Sequence, residues 1–163
     1  MTLVGSDLTE RTTTSTGNDA ATLSSVSGLN ISQGTWVKIV FRWRKTAGAA
    51  SAPKLGIKIN DIQIISTSQF ASSLRTGSTN EAQDGTAQFM LLPGETNYTH
   101  GLTGIGSYGG ASEGQGAVFS VGSAWTNAMP VGAITSIAIT GDAVNGAITL
   151  ATDELRVYTL PTE

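Results

Sequence analysis

The stretch GTWVKIVFRWRK, residues Gly34 to Lys45, reads as a strand whose two faces differ. Val37, Ile39, Phe41 and Trp43 fall in one phase, and Trp36, Lys38, Val40, Arg42 and Arg44 in the other. Successive side chains of a strand point to opposite faces, so the odd positions make a core face and the even positions an outer one. Four of the chain's nine basic residues also sit here: Lys38, Arg42, Arg44 and Lys45.

The pattern continues outward from this strand. SQG at 32–34 is a turn signal before it, and ATLSSVSGLNI, from Ala21, is a strand-like segment before that. After a small-residue loop, TAGAASAP, comes KLGIKINDIQII, in which Leu55, Ile57 and Ile59 alternate with Lys54, Gly56, Lys58 and Asn60. Asn60-Asp61 suits a two-residue hairpin turn, because both residue types tolerate positive φ. Such a turn pairs Ile59 with Ile62 and Ile57 with Ile64. Further strands are expected in TAQFMLL up to the Pro93-Gly94 turn, in AVFSVG, AITSIAIT and GAITLA, and in the closing DELRVYTL, where Leu155 and Val157 alternate with Arg156 and Tyr158. The reading gives eight to ten strands.

Three segments look irregular. Residues 1–20 are polar and threonine-rich and read as an N-terminal arm, flexible or ordered by a partner; residues 21–163 read as one domain. Residues 66–85 read as a long polar loop, with one helical turn around Phe70 to Leu74. Thr96 to Gly116 holds seven glycines with Tyr98, His100 and Tyr108, and reads as a glycine-rich loop system.

Composition supports an all-β domain. The 163 residues suffice for one substantial core, with 39% apolar residues, 13% charged residues, 20 glycines and 40 serines plus threonines. Short apolar runs between turn clusters, without helical periodicity, point to an antiparallel β-sandwich. The absence of cysteine removes disulfides and thiolate metal sites. The first residues lack the basic and apolar regions of a signal peptide, so no export leader is expected; no apolar run reaches membrane-spanning length. Asn30 in NIS and Asn97 in NYT then match the glycosylation pattern by chance.

Catalytic motifs are weak. Gly104-Ile105-Gly106-Ser107-Tyr108-Gly109 has the letters of a dinucleotide fingerprint, but GASEGQG cannot supply the helix whose N-terminus holds the phosphate. His100 is the single histidine and no nucleophile elbow accompanies it. The carboxylates are scattered, so a facing glycosidase pair is neither indicated nor ruled out. Asp153 reads as a turn cap, with a share in a structural calcium site as the alternative. The expectation is a non-enzyme without cofactor.

Charge placement says more. Between Lys38 and Lys58 lie six of the nine basic residues, and no acidic residue occurs from Ala20 to Asn60. If the strands carrying them are neighbours, Lys38, Arg42, Arg44, Lys54 and Lys58 form one basic outer patch with Trp36 at its edge. Such a patch is either a solvated face or the docking site of an acidic partner: another subunit, a shell protein or an anionic glycan. A net charge of −3 argues against nucleic acid as that partner.

GTWVKIVFRWRK, LGIKINDIQI and TDELRVYTL together resemble the concanavalin A or laminin-G jelly roll and, nearly as well, the carbohydrate-binding-module jelly roll. The Gly/Ser/Thr/Ala-rich texture without cysteine is similar in style to bacteriophage head decoration and fibre proteins. That style implies a non-enzymatic virion protein, trimeric, binding a capsid and its own copies through arm, loops and basic face. The alternative is a lectin-like carbohydrate-binding module, with Trp36, Tyr98, Tyr108 and Trp125 as the rings that stack on sugars.

Overall fold

The computed structural model describes residues 1–14, 21–45, 54–65, 83–91, 103–110, 114–120, 132–142 and 150–161. They form eleven strands and no helix: β1 (Thr2–Asp7), β2 (Arg11–Thr13), β3 (Ala21–Ile31), β4 (Val37–Lys45), β5 (Lys54–Ile59), β6 (Ile62–Ile65), β7 (Gln83–Leu91), β8 (Thr103–Gly110), β9 (Gly114–Ser120), β10 (Ile134–Asp142) and β11 (Leu150–Thr159). All pairings are antiparallel. A seven-stranded sheet has the order β1-β11-β4-β7-β8-β9, with β2 also paired to β11; a four-stranded sheet has the order β3-β10-β5-β6. The expected antiparallel β-sandwich of jelly-roll type is the fold observed.

The inward phase of β4 is buried as its alternation requires: Val37, Ile39, Phe41 and Trp43 are all fully inaccessible. Leu155 and Val157 of β11 join them. Leu23, Val26, Leu29 and Ile31 of β3, Leu55, Ile57 and Ile59 of β5, Ile64 of β6, and Ile134, Ile137 and Ile139 of β10 complete the core. Trp43 is flanked in register by Thr152 and Gly85, so a small residue stands on each side of the bulkiest core ring. Thr152 then reaches the other sheet, where its hydroxyl lies 2.6 Å from that of Ser24, a fully buried pair.

The turns follow local chemistry. Gly34 adopts φ +75°, and the Thr35 amide donates to the Ser32 carbonyl at 3.3 Å, which closes the turn before β4. Asn60 and Asp61 have φ 50° and 64°, the paired left-handed conformation of a two-residue hairpin. Asn60 also pins this hairpin to the start of β10. Its Oδ1 accepts from the Thr135 amide at 2.7 Å and the Ser136 amide at 3.2 Å, and its Nδ2 donates to the Ala133 carbonyl at 2.9 Å. Ile59 pairs with Ile62 as expected, but Ile57 pairs with Ile65 rather than Ile64, because the register shifts between Ile57 and Lys58.

The N-terminal arm is not an arm over its described residues. Thr2–Asp7 and Arg11–Thr13 pair with β11 of the same chain, and residues 15–20 lie outside the described ones. Asp7 explains the anchoring. Its carboxylate accepts from the Ser25 amide of β3 at 3.0 Å, the Thr9 amide at 3.1 Å and the Arg11 guanidinium, which ties an edge strand of one sheet to an edge strand of the other. Burial works to raise the pKa of this carboxyl, but the Ser25 amide, the Arg11 guanidinium and the Thr9 amide together hold it below the ordinary 3.8. Gly5 sits close against β3: a Cβ there would lie 2.3 Å from Val26 Cγ1.

The glycine-rich region is also more regular than its composition implies. Thr103–Gly110 and Gly114–Ser120 pair with each other, and β8 pairs with β7, so most of this stretch is sheet rather than loop. Ladder hydrogen bonds use only backbone groups, so a glycine beside a long partner strand can be held there despite its low strand propensity. Likewise, β7 begins at Gln83, and the last residues of the expected polar loop belong to it. The expected helical turn at Phe70 to Leu74 and the Pro93-Gly94 turn lie outside the described residues.

Candidate functional site

The outer face of the seven-stranded sheet is assembled from the even phase of β4 and its neighbours. Along β4 run Trp36, Lys38, Val40, Arg42 and Arg44, and beside them on β11 lie Tyr158 opposite Lys38, Arg156 opposite Val40 and Glu154 opposite Arg42. On the other side Met90, Gln88, Thr86 and Asp84 of β7 occupy the positions opposite Lys38, Val40, Arg42 and Arg44. Leu3 of β1 stands opposite Tyr158 and Ser6 opposite Arg156.

The expected basic patch does not form. β4 belongs to the seven-stranded sheet and β5 to the four-stranded one. Leu55, Ile57 and Ile59 of β5 face the core, so Lys58, between two of them, belongs to the opposite outer face of the sandwich from Lys38, Arg42 and Arg44, and Lys54 is the first residue of that same β5 strand. Residue parity is local, but whether two strands share a sheet is decided by the whole topology.

What replaces the patch is a ladder of partly paired charges. Arg44 pairs with Glu10 at 2.7 Å, and Arg156 pairs with Glu154 at 3.0 Å. The Arg156 guanidinium is held above its ordinary pKa by its hydrogen bond to Tyr158 and then by the charge of Glu154. Arg42 is likewise engaged. Exposed ion pairs of this kind add little stability, but they hold planar polar groups in set orientations.

At one end of the ladder the face turns aromatic and apolar. Trp36 is 45% exposed, and its carbonyl accepts from the Leu160 amide at 3.0 Å, which fixes the backbone beneath the indole. Tyr158 is its diagonal neighbour across the β4-β11 pair, a spacing of about 7–8 Å. Leu3, 51% exposed, continues the platform toward the sheet edge. Of the rings expected to stack on sugars, Trp36 is thus placed on an open face. Tyr108 lies within β8, in the register row of Gly85 and Trp43, and Tyr98 and Trp125 lie outside the described residues.

The sequence reading did not include Glu10, Glu154, Arg156 or Tyr158 in a site. Arg156 and Tyr158 alternate with Leu155 and Val157, which marks them as outward-facing, but nothing local shows that β11 lies beside β4. Asp153, expected at a turn, sits inside β11, where the register shifts between Thr152 and Glu154. Among the described residues no group of three or more His, Asp or Glu side chains is placed to hold a metal ion. His100 lies outside them.

No protein-family profile matches the chain, and no curated protein does. Solved structures with a similar course of chain include lectin II from Ulex europaeus, at 9% identity and a TM-score of 0.39 over 95% of this chain and 100% of that one. The exoplasmic/lumenal domain of VIP36, in its Ca2+/Man3GlcNAc-bound form, is similar at 8% identity and a TM-score of 0.33 over 99% of this chain and 79% of that one. A GH43 glycoside hydrolase is similar at 8% identity and a TM-score of 0.36; the match takes in 83% of this chain but spans only 34% of that enzyme's length. At this distance the likeness bears on no ligand or activity, and the sandwich stands on the strand pairing described above.

Proposed function

We propose that the protein is a non-catalytic carbohydrate-binding module that holds its ligand on the outer face of the seven-stranded sheet. The observation that carries this reading is Trp36, an indole 45% exposed at the end of a ladder of ion-paired side chains. Sugars present an apolar C–H face and a rim of hydroxyls. An exposed indole meets the first, and planar guanidinium and carboxylate groups, fixed by their own pairing, meet the second with little further loss of side-chain entropy.

A virion role had three supports: arm, basic face and loops. Residues 2–7 and 11–13 of the arm are committed to the chain's own sheet, and the basic face is divided between two sheets. Among the described residues, neither the free arm nor the joined basic patch that this role calls for is present.

A glycan array tests the proposal. Binding to a defined set of oligosaccharides is expected, with Trp36→Ala lowering affinity about ten-fold, the order of magnitude of one lost aromatic contact, while the far-ultraviolet circular dichroism stays unchanged. An array without hits, or binding indifferent to Trp36, would overturn it.

A further inference from the structure

We propose that Lys38 receives a carboxylate, so that the ligand of this face is an acidic saccharide of the uronic-acid kind; this rests on the carbohydrate reading. Four cations are placed on the face. Arg44 is balanced by Glu10, Arg156 by Glu154, and Arg42 is engaged opposite Glu154. Lys38 differs from all three: among the described residues it has no ion-pair partner.

Its surroundings explain why. The register places Tyr158 on one side of Lys38 and position 90, a methionine, on the other, with Trp36 and Val40 before and after it along the strand. The nearest acidic position on this face of β4 and β11, Glu154, is level with Arg42, four residues along the strand, or about 13 Å, and so beyond the Debye length of about 8 Å at physiological salt. An ammonium is a compact donor of three hydrogen bonds with no acceptor capacity, and among the described residues no carboxylate answers it here.

Lys38 also lies within reach of the aromatic platform. Trp36 is two residues away on the same face, about 6.8 Å along the strand, and Tyr158 is directly opposite. A sugar ring stacked on the indole can therefore direct a ring-borne anion at the ammonium. A single uncompensated cation suits one carboxylate per residue of ligand. Densely sulfated polymers call for several free cations, whereas Arg44 and Arg156 are ion-paired and Arg42 is engaged.

The test compares a uronate-containing oligosaccharide, its carboxyl-reduced counterpart and a sulfated oligosaccharide by isothermal titration calorimetry on the intact protein. The uronate ligand is expected to bind about five- to ten-fold tighter than the reduced one, the range of a half-exposed charge pair, and to lose that advantage at high salt. Lys38→Met should bring the affinities for the uronate and reduced ligands together, and Lys38→Arg should restore the preference. Equal affinity for the uronate and reduced ligands, a preference that survives in Lys38→Met, or stronger binding of the sulfated ligand would each overturn the inference while leaving a Trp36-dependent carbohydrate site in place. Failure of every saccharide to bind would remove the carbohydrate reading itself, and the acidic ligand with it.

Discussion

Replacing Asp7 with asparagine removes the charge that ties β1 to β3 while keeping the size of the side chain. The carboxylate takes amide hydrogens from Ser25 at 3.0 Å and Thr9 at 3.1 Å, together with the Arg11 guanidinium, and it is only 9% exposed. Asparagine keeps one acceptor and turns an amide donor toward the remaining donors. One charge-assisted bond is lost and one buried N–H is left without an acceptor, at a cost of about 2–4 kcal/mol. The Arg11 side chain is 44% exposed, so its pairing is discounted to about 1 kcal/mol or less within that range. For a domain of this size the transition should fall by about 4–16 °C, at roughly 2–4 °C per kcal/mol. Urea unfolding of both proteins at several pH values is the assay. Because the folded pKa lies below the unfolded one, the carboxylate's contribution is complete above about pH 4 and is lost as pH falls through the lowered folded value, so wild type and Asp7→Asn should converge in acid. A difference below about 0.5 kcal/mol at pH 7, within the scatter of ordinary surface changes, would refute the reasoning, as would one that persists unchanged to pH 3.

Three further outcomes follow from the packing. Asn60→Ala should destabilise by about 2–3 kcal/mol in chemical denaturation, because it removes the bonds to residues 133–136 and puts a Cβ without a polar group at φ 50°; Asn60→Gly should cost less than Asn60→Ala, since glycine accepts that φ. Ser24→Ala and Thr152→Val should each cost about 1–2 kcal/mol by orphaning the other buried hydroxyl, while the double variant should cost less than the sum of the two, which a double-mutant cycle reads directly. Gly5→Ala should lower stability by about 1–3 kcal/mol, measured by thermal unfolding, because the added methyl overlaps Val26, whose branched side chain has little room to turn away.

Much of the fold is legible in the chain, and most of the site is not. Alternation in Val37 to Lys45 predicts which residues are buried, and the structure agrees at all four odd positions. Asn60-Asp61 predicts a hairpin turn from the tolerance of two residue types for positive φ, and both residues adopt it. The face is different. Its ion pairs join Arg44 to Glu10 and Arg156 to Glu154, and the first of these links β4 to a residue between β1 and β2, far away in the chain.

What the sequence alone determined was parity and punctuation: the inward residues of β4, the turn at Asn60, the closing strand with its outward Arg156 and Tyr158, and hence a β-sandwich. These depend on a side-chain period of two and on single-residue φ preferences, which act over a few residues. The tertiary structure alone decided that β4 and β5 part into different sheets, that β11 brings Glu154, Arg156 and Tyr158 beside β4, and that the polar N-terminus and the glycine-rich segment become strands. The reason is physical. A strand's faces are set by its own residues, but its neighbours are set by which long-range pairing satisfies the backbone groups and buries the core of the whole chain.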